Sequence, residues 1–170
     1  MKLTTKQLTL CALLTAMALG LSYLENLFPI ALAIPIPGVK LGLANIVTLF
    51  ALYALGSAQA MAILFCRCIL GAVFAGNMNA LFFSLFGGFT AMLVMIGLSR
   101  CAKLSIYGVS IGGAAGHNCG QIAAAMLTLG NVAPLYYLPF LLVVSLFTGA
   151  VTGLIGACLF RALPQSFMKG

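Results

Sequence analysis

Charged side chains make up only 5% of this 170-residue chain, against about a quarter in a soluble domain, and that shortage fixes the solvent before any element is placed. A fold of this size in water needs far more Lys, Arg, Asp and Glu to cover its outside, and here 64% of the residues are hydrophobic. Most of the surface is therefore expected to meet lipid, and the chain reads as an all-α integral membrane protein. At about 20 residues per span, six helices use about 120 residues and leave short loops. Residues 1–170 thus read as a single transmembrane helical domain.

The acid count narrows the chemistry further. The sequence has no Asp, and Glu25 is its one carboxylate side chain. Paired-carboxylate catalysis and acidic Mg²⁺ or Ca²⁺ cages are excluded as activities of this chain alone, so no catalytic residue, metal site or cofactor is expected. The formal net charge of +7 comes from eight scattered cations, a pattern that suits membrane orientation and not nucleic acid. Nearly all six cysteines lie in apolar stretches, where a thiol packs as a small hydrophobe. Cys66 and Cys68, two apart, point to nearly opposite sides of a helix and do not share a metal. Leu8-Thr9-Leu10-Cys11 and Ala31-Leu32-Ala33 mimic processing signals, but the apolar segment containing the first is long enough to span and is read as a retained helix.

Charges, prolines and Gly-rich breaks punctuate the chain into six helices, roughly 6–28, 40–55, 57–75, 79–99, 105–130 and 134–161. The second is short, and Leu55-Gly56-Ser57 leaves room only for a tight hairpin to the third. Three prolines in the 29–38 segment prevent a regular helix there while its side chains stay apolar, which predicts a loop folded back over the bundle. An even number of spans puts both termini on one side. That side collects Lys2, Lys6, Arg100, Lys103, Arg161 and Lys169, so the termini are expected in the cytoplasm of a cell-membrane protein. Arg67 falls about ten residues into the third helix, where an unpaired charge costs at least about 2.5 kcal/mol. It must face protein, water or a ligand.

Three helix faces carry the candidate functions. On the first helix Ala12, Ala16 and Gly20 form a flat stripe roughly opposite Glu25; if the carboxylate faces inward, the stripe faces out, toward a partner protein or a helix of the same chain. On the fifth, Gly108, Gly112, Gly116 and Gly120 make a close-packing seam continued by Ala124. Beside that seam His117, Gln121 and Thr128 share a polar face, with Asn118 turned away, suited either to ligand contact or to interhelical hydrogen bonding. Lys40 and Arg67, with Asn45, Asn77 and Asn79 in the outer half, form a set able to receive an anionic group. The structural alternative is an Arg67–Glu25 pair with Lys40 at the interface.

Pro37-Gly38-Val39-Lys40-Leu41-Gly42-Leu43-Ala44-Asn45, with Arg67-Cys-Ile-Leu-Gly71, Ser84-Leu-Phe-Gly-Gly88, Gly108-Val-Ser-Ile-Gly112 and His117-Asn-Cys-Gly-Gln121, resembles the Gx transporter family over most of the chain. That family is also labelled heptaprenyl diphosphate synthase component I and is similar to the S components of energy-coupling factor (ECF) vitamin transporters. The S-component resemblance implies a six-transmembrane-helix bundle with a substrate pocket on the extracellular half, covered by the loop between the first two helices. It implies that Ala12 and Ala16, which match the family's alanine motif, contact a membrane coupling protein joined to two ATPase subunits. The chain has no Walker A sequence of its own. The expectation is a subunit that captures a small, anionic, partly apolar metabolite through Lys40 and Arg67, with Glu25, Asn45, Asn77, Asn79, His117 and Gln121 as further pocket residues. The other label implies a noncatalytic membrane subunit of a polyprenyl diphosphate synthase or quinone pathway.

Overall fold

The computed structural model describes residues 4–27 and 42–162. They form six α-helices: α1 (Thr5–Leu27), α2 (Leu43–Ala54), α3 (Ser57–Ala75), α4 (Met78–Ser99), α5 (Ile106–Leu129) and α6 (Leu138–Ala162), the last preceded by a 3₁₀ turn at Ala133–Tyr137. Among the described residues α1, α3, α4 and the stretch ending in α6 are long and apolar enough to cross a membrane, and this fits a multi-pass membrane protein. α5 has 24 residues, but its glycines, His117, Asn118 and Gln121 dilute its apolar character. α2 has 12 residues, about 18 Å at 1.5 Å per residue, well short of a hydrocarbon core of about 30 Å.

Local chemistry sets the ends. The second helix begins at Leu43, three residues later than its sequence pattern predicts, because Gly42 adopts a left-handed conformation at φ 76° that a glycine tolerates and a helix does not continue through. Asn77 Oδ1 accepts from Ala80 N at 3.2 Å, and Ser105 Oγ from Gly108 N at 3.3 Å, capping the starts of α4 and α5. α6 starts at Leu138 and not at 134, since Pro134 sits in a 3₁₀ turn closed by Leu135 N–H to Val132 O. Pro139 then occupies the first turn of α6, where a missing N–H is harmless. Two residues join α2 to α3, giving the tight hairpin.

α2 is the axis of the bundle. Eight of its 12 residues are buried, and it packs against α1, α3, α4 and α6. Leu49, Ile63, Leu64, Met92 and Val109, from four helices, fill the core around it. The outside is apolar in the way lipid requires: Phe74 is 77% exposed, Phe147 71% and Tyr136 86%. Hydroxyls inside the helices bond back to carbonyls one turn earlier, as Thr15 does to Cys11 O and Thr152 to Thr148 O, so little polarity reaches the lipid.

The closest helix pairs are α4 with α5 and α5 with α6. A Cβ at Gly112, Gly116 or Gly120 would collide with Leu98, with Val94 and the Thr90 carbonyl, or with Thr90 and the Phe86 carbonyl respectively. These glycines therefore let the α4 backbone close in, and Thr90 Oγ1 shares its one proton between Phe86 O at 2.7 Å on its own helix and Gly116 O at 2.8 Å across the gap. Gly108 faces elsewhere; its Cβ would meet Leu104 and Ser105 just before it. On the other side of α5, Gly149 and Gly153 of α6 rest against Ser110, Ile111 and Tyr107. Asn118 Nδ2 joins the same pair by donating to Leu141 O and Ser145 Oγ.

Candidate substrate site

The C-terminal halves of α1 and α3, the start of α4 and the middle of α5 meet at the start of the short α2 and line a cavity of about 90 Å³. Its polar lining includes five of the residues singled out by sequence, Glu25, Asn45, Arg67, His117 and Gln121. Gly71, Ala72, Ala75 and Ala80 supply small apolar walls. Ser22 and Ser84 also face it, although neither was expected as a site residue. Ser22 lies three residues before Glu25, on the same helix face, whereas no comparable spacing marks Ser84.

Arg67 approaches from midway along α3. Its Nη2 donates to Asn45 Oδ1 at 3.3 Å, while its Nε is enclosed and has no hydrogen-bond partner among the described residues. Glu25 reaches across from α1, and its Oε1 accepts from the Gly42 backbone N–H at 2.6 Å. That N–H is one of the donors a helix start leaves unsatisfied, and a carboxylate there also meets the positive end of the α2 dipole. Glu25 thus fixes where α2 begins, and Arg67 and Asn45 meet one turn further in.

His117 and Gln121, four apart on α5, lie over Gly87 of α4. A Cβ at Gly87 would stand 2.9 Å from both His117 Cε1 and Gln121 Cγ, so the missing side chain is what seats these two polar groups at the cavity wall. Thr128, on the same face by sequence, is exposed and bonds to Ala124 O. Asn77 and Asn79 are exposed at the start of α4 and do not line the cavity. Lys40 and the 29–38 loop lie outside the described residues.

The stripe on α1 faces away from this site. Ala12, Ala16 and Gly20 are exposed, and a Cβ at Gly20 would meet nothing within 4 Å. Ala12 and Ala16 floor an apolar groove of about 550 Å³ between α1 and α3, walled by Ala58, Ala62, Cys66 and Leu70. Cys66 is exposed there and Cys68 buried, on opposite sides of α3 as their spacing demands.

The arrangement can hold a small polar molecule. A guanidinium, a carboxylate, an amide pair and an imidazole converge on one small cavity in an otherwise apolar bundle, where low local polarity strengthens polar contacts. No curated protein and no solved structure matches the chain. A family model does match, over residues 14–159, which runs from within α1 to near the end of α6 and takes in every residue of the cavity. The chain belongs to the family described as heptaprenyl diphosphate synthase component I.

Proposed function

We propose that this chain is the substrate-binding membrane subunit, an S component, of an ECF-type importer, and that it captures a small, anionic, partly apolar metabolite on the extracellular side. The observation that carries this reading is the enclosed polar cavity around Arg67 in an otherwise apolar bundle. In this reading all six helices lie in the membrane, α2 reaching only part of the way. Lys6, Arg100, Lys103 and Arg161 fall at the same end of the helix array, and the excess of cations there favours a cytoplasmic placement of both termini. Lys40 would add a second cation from the loop above. The outward Ala12–Ala16 groove suits a close-packing helix of a membrane coupling protein, which would join the subunit to two ATPases.

The family's description favours a second reading, a noncatalytic membrane subunit serving a prenyl diphosphate synthase. With no Asp and one Glu, the chain itself lacks the acidic clusters that hold Mg²⁺ on a diphosphate. One experiment separates the two. The tagged protein is extracted from its own membranes in gentle detergent, and the proteins that stay bound are identified by mass spectrometry. A membrane coupling protein with two ATPases is the expected result. A soluble prenyl synthase without ATPases overturns the transport reading and establishes the second.

A further inference from the structure

Arg67 is under-satisfied for a group at its depth. A guanidinium has five N–H donors, and among the described residues it makes one hydrogen bond, to Asn45 Oδ1. Nε is enclosed, so the terminal nitrogens are the part of the group that meets the cavity. A charge ten residues into α3 is costly in a bilayer unless those donors find acceptors. The acceptor they fit best is a planar pair of oxygens, which a guanidinium edge binds through two parallel hydrogen bonds.

Two further observations limit what carries those oxygens. A cavity of about 90 Å³, at about 15 Å³ for each water-sized group, matches a short-chain acid in size. Glu25 shares the lining with Arg67, and its negative charge disfavours an anion with several charges over one with a single charge.

The geometry points to a compact monocarboxylate as the ligand of this cavity, its carboxylate on the Arg67 nitrogens. The rest of the molecule lies between the Ala72, Ala75 and Ala80 wall and the polar edge of His117 and Gln121. This rests on the binding role proposed above and gives its metabolite a chemical class. A ligand that also carries an amine would place it toward Glu25.

The test uses the full chain, purified alone in detergent, so that its outcome is independent of any coupling protein. Binding of propionate, β-alanine, inorganic phosphate and pyrophosphate is measured by calorimetry at neutral pH. Saturable binding of propionate or β-alanine, tighter than that of either phosphate, is the expected result. A preference for β-alanine assigns the amine to Glu25, and a preference for propionate assigns the remainder to the alanine wall; either order supports the carboxylate. Tighter binding of phosphate or pyrophosphate, or saturable binding of neither carboxylate, overturns the inference. Arg67→Lys keeps the charge but removes the planar fork, and should weaken carboxylate binding by about tenfold. An affinity within twofold of the parent would show that the fork is not used. The probe series on the unaltered chain decides the matter even if this variant does not fold.

Discussion

Replacing Gly120 by alanine tests how the site is held in place. The new Cβ would overlap Thr90 Oγ1 and the Phe86 carbonyl oxygen and stand 2.8 Å from the Phe86 carbonyl carbon. Two of these three atoms are backbone, so no rotamer change relieves the overlap, and α4 and α5 must separate by roughly an ångström to restore ordinary contact. Overpacking of this kind costs about 1–3 kcal/mol. The same separation takes Thr90 Oγ1 out of reach of Gly116 O, a smaller loss, because its one proton keeps an acceptor in Phe86 O at 2.7 Å on its own helix. Together these predict a loss of about 1–3 kcal/mol, most of it from the overpacking. Gly97→Ala is the matched control, because a Cβ there meets nothing within 4 Å and alanine favours the helix by up to about 1 kcal/mol. Reversible unfolding in mixed micelles, followed by circular dichroism, reads both. A Gly120→Ala variant within 0.5 kcal/mol of the parent, or a Gly97→Ala variant equally destabilised, would refute the seam as the source of α4–α5 stability.

Three other substitutions probe separate parts of the molecule. Gly87→Ala should fill the notch beneath His117 and Gln121 and push both into the cavity; the neighbours are side chains that can turn, so stability falls by only about 1–2 kcal/mol while propionate or β-alanine binding is lost in calorimetry. Ala12→Leu with Ala16→Leu should leave the melting temperature in detergent unchanged, because both positions are exposed, yet abolish recovery of the coupling protein; an unchanged complex would show that the groove is not the contact. Glu25→Gln keeps an acceptor for the Gly42 N–H but removes its charge from the α2 start, and should cost about 1 kcal/mol in the same melts. Glu25→Leu should cost more, since that N–H then has no side-chain acceptor, and equal losses for the two would count against the cap.

The helix array was legible in the sequence because its determinants are local: Gly76 and Gly130 close α3 and α5, and the tight Leu55-Gly56 link forces a hairpin. The glycine seam was legible for the same reason at Gly112, Gly116 and Gly120, while Gly108, one turn earlier on the same stripe, lies beyond the crossing with α4. What the sequence did not disclose depends on distances between elements. The depth of α2 follows from a carboxylate 17 residues upstream accepting from Gly42, a contact no pattern encodes. Ser22 and Ser84 face the cavity only because α1 and α4 are rotated as they are. Asn77 carries the same sequence signature whether it faces a ligand or caps a helix, and its Oδ1 is on Ala80 N.

The depth of Arg67 has an electrical consequence. In the proposed orientation, with α3 spanning the membrane and the cavity open to the outside, ten residues at 1.5 Å put it about 15 Å along α3, near the middle of a hydrocarbon core of about 30 Å. A full elementary charge crossing the membrane exchanges about 2.3 kcal/mol per 100 mV, so an anion drawn from a positive outer face to that depth works against roughly half of this, about 1.2 kcal/mol. At resting voltage the site would therefore fill several-fold less readily with an anion than it does in detergent. A ligand with both an acid and an amine carries no net charge and escapes the penalty, so voltage across a liposome would sort the two kinds of ligand where calorimetry in micelles weighs them alike.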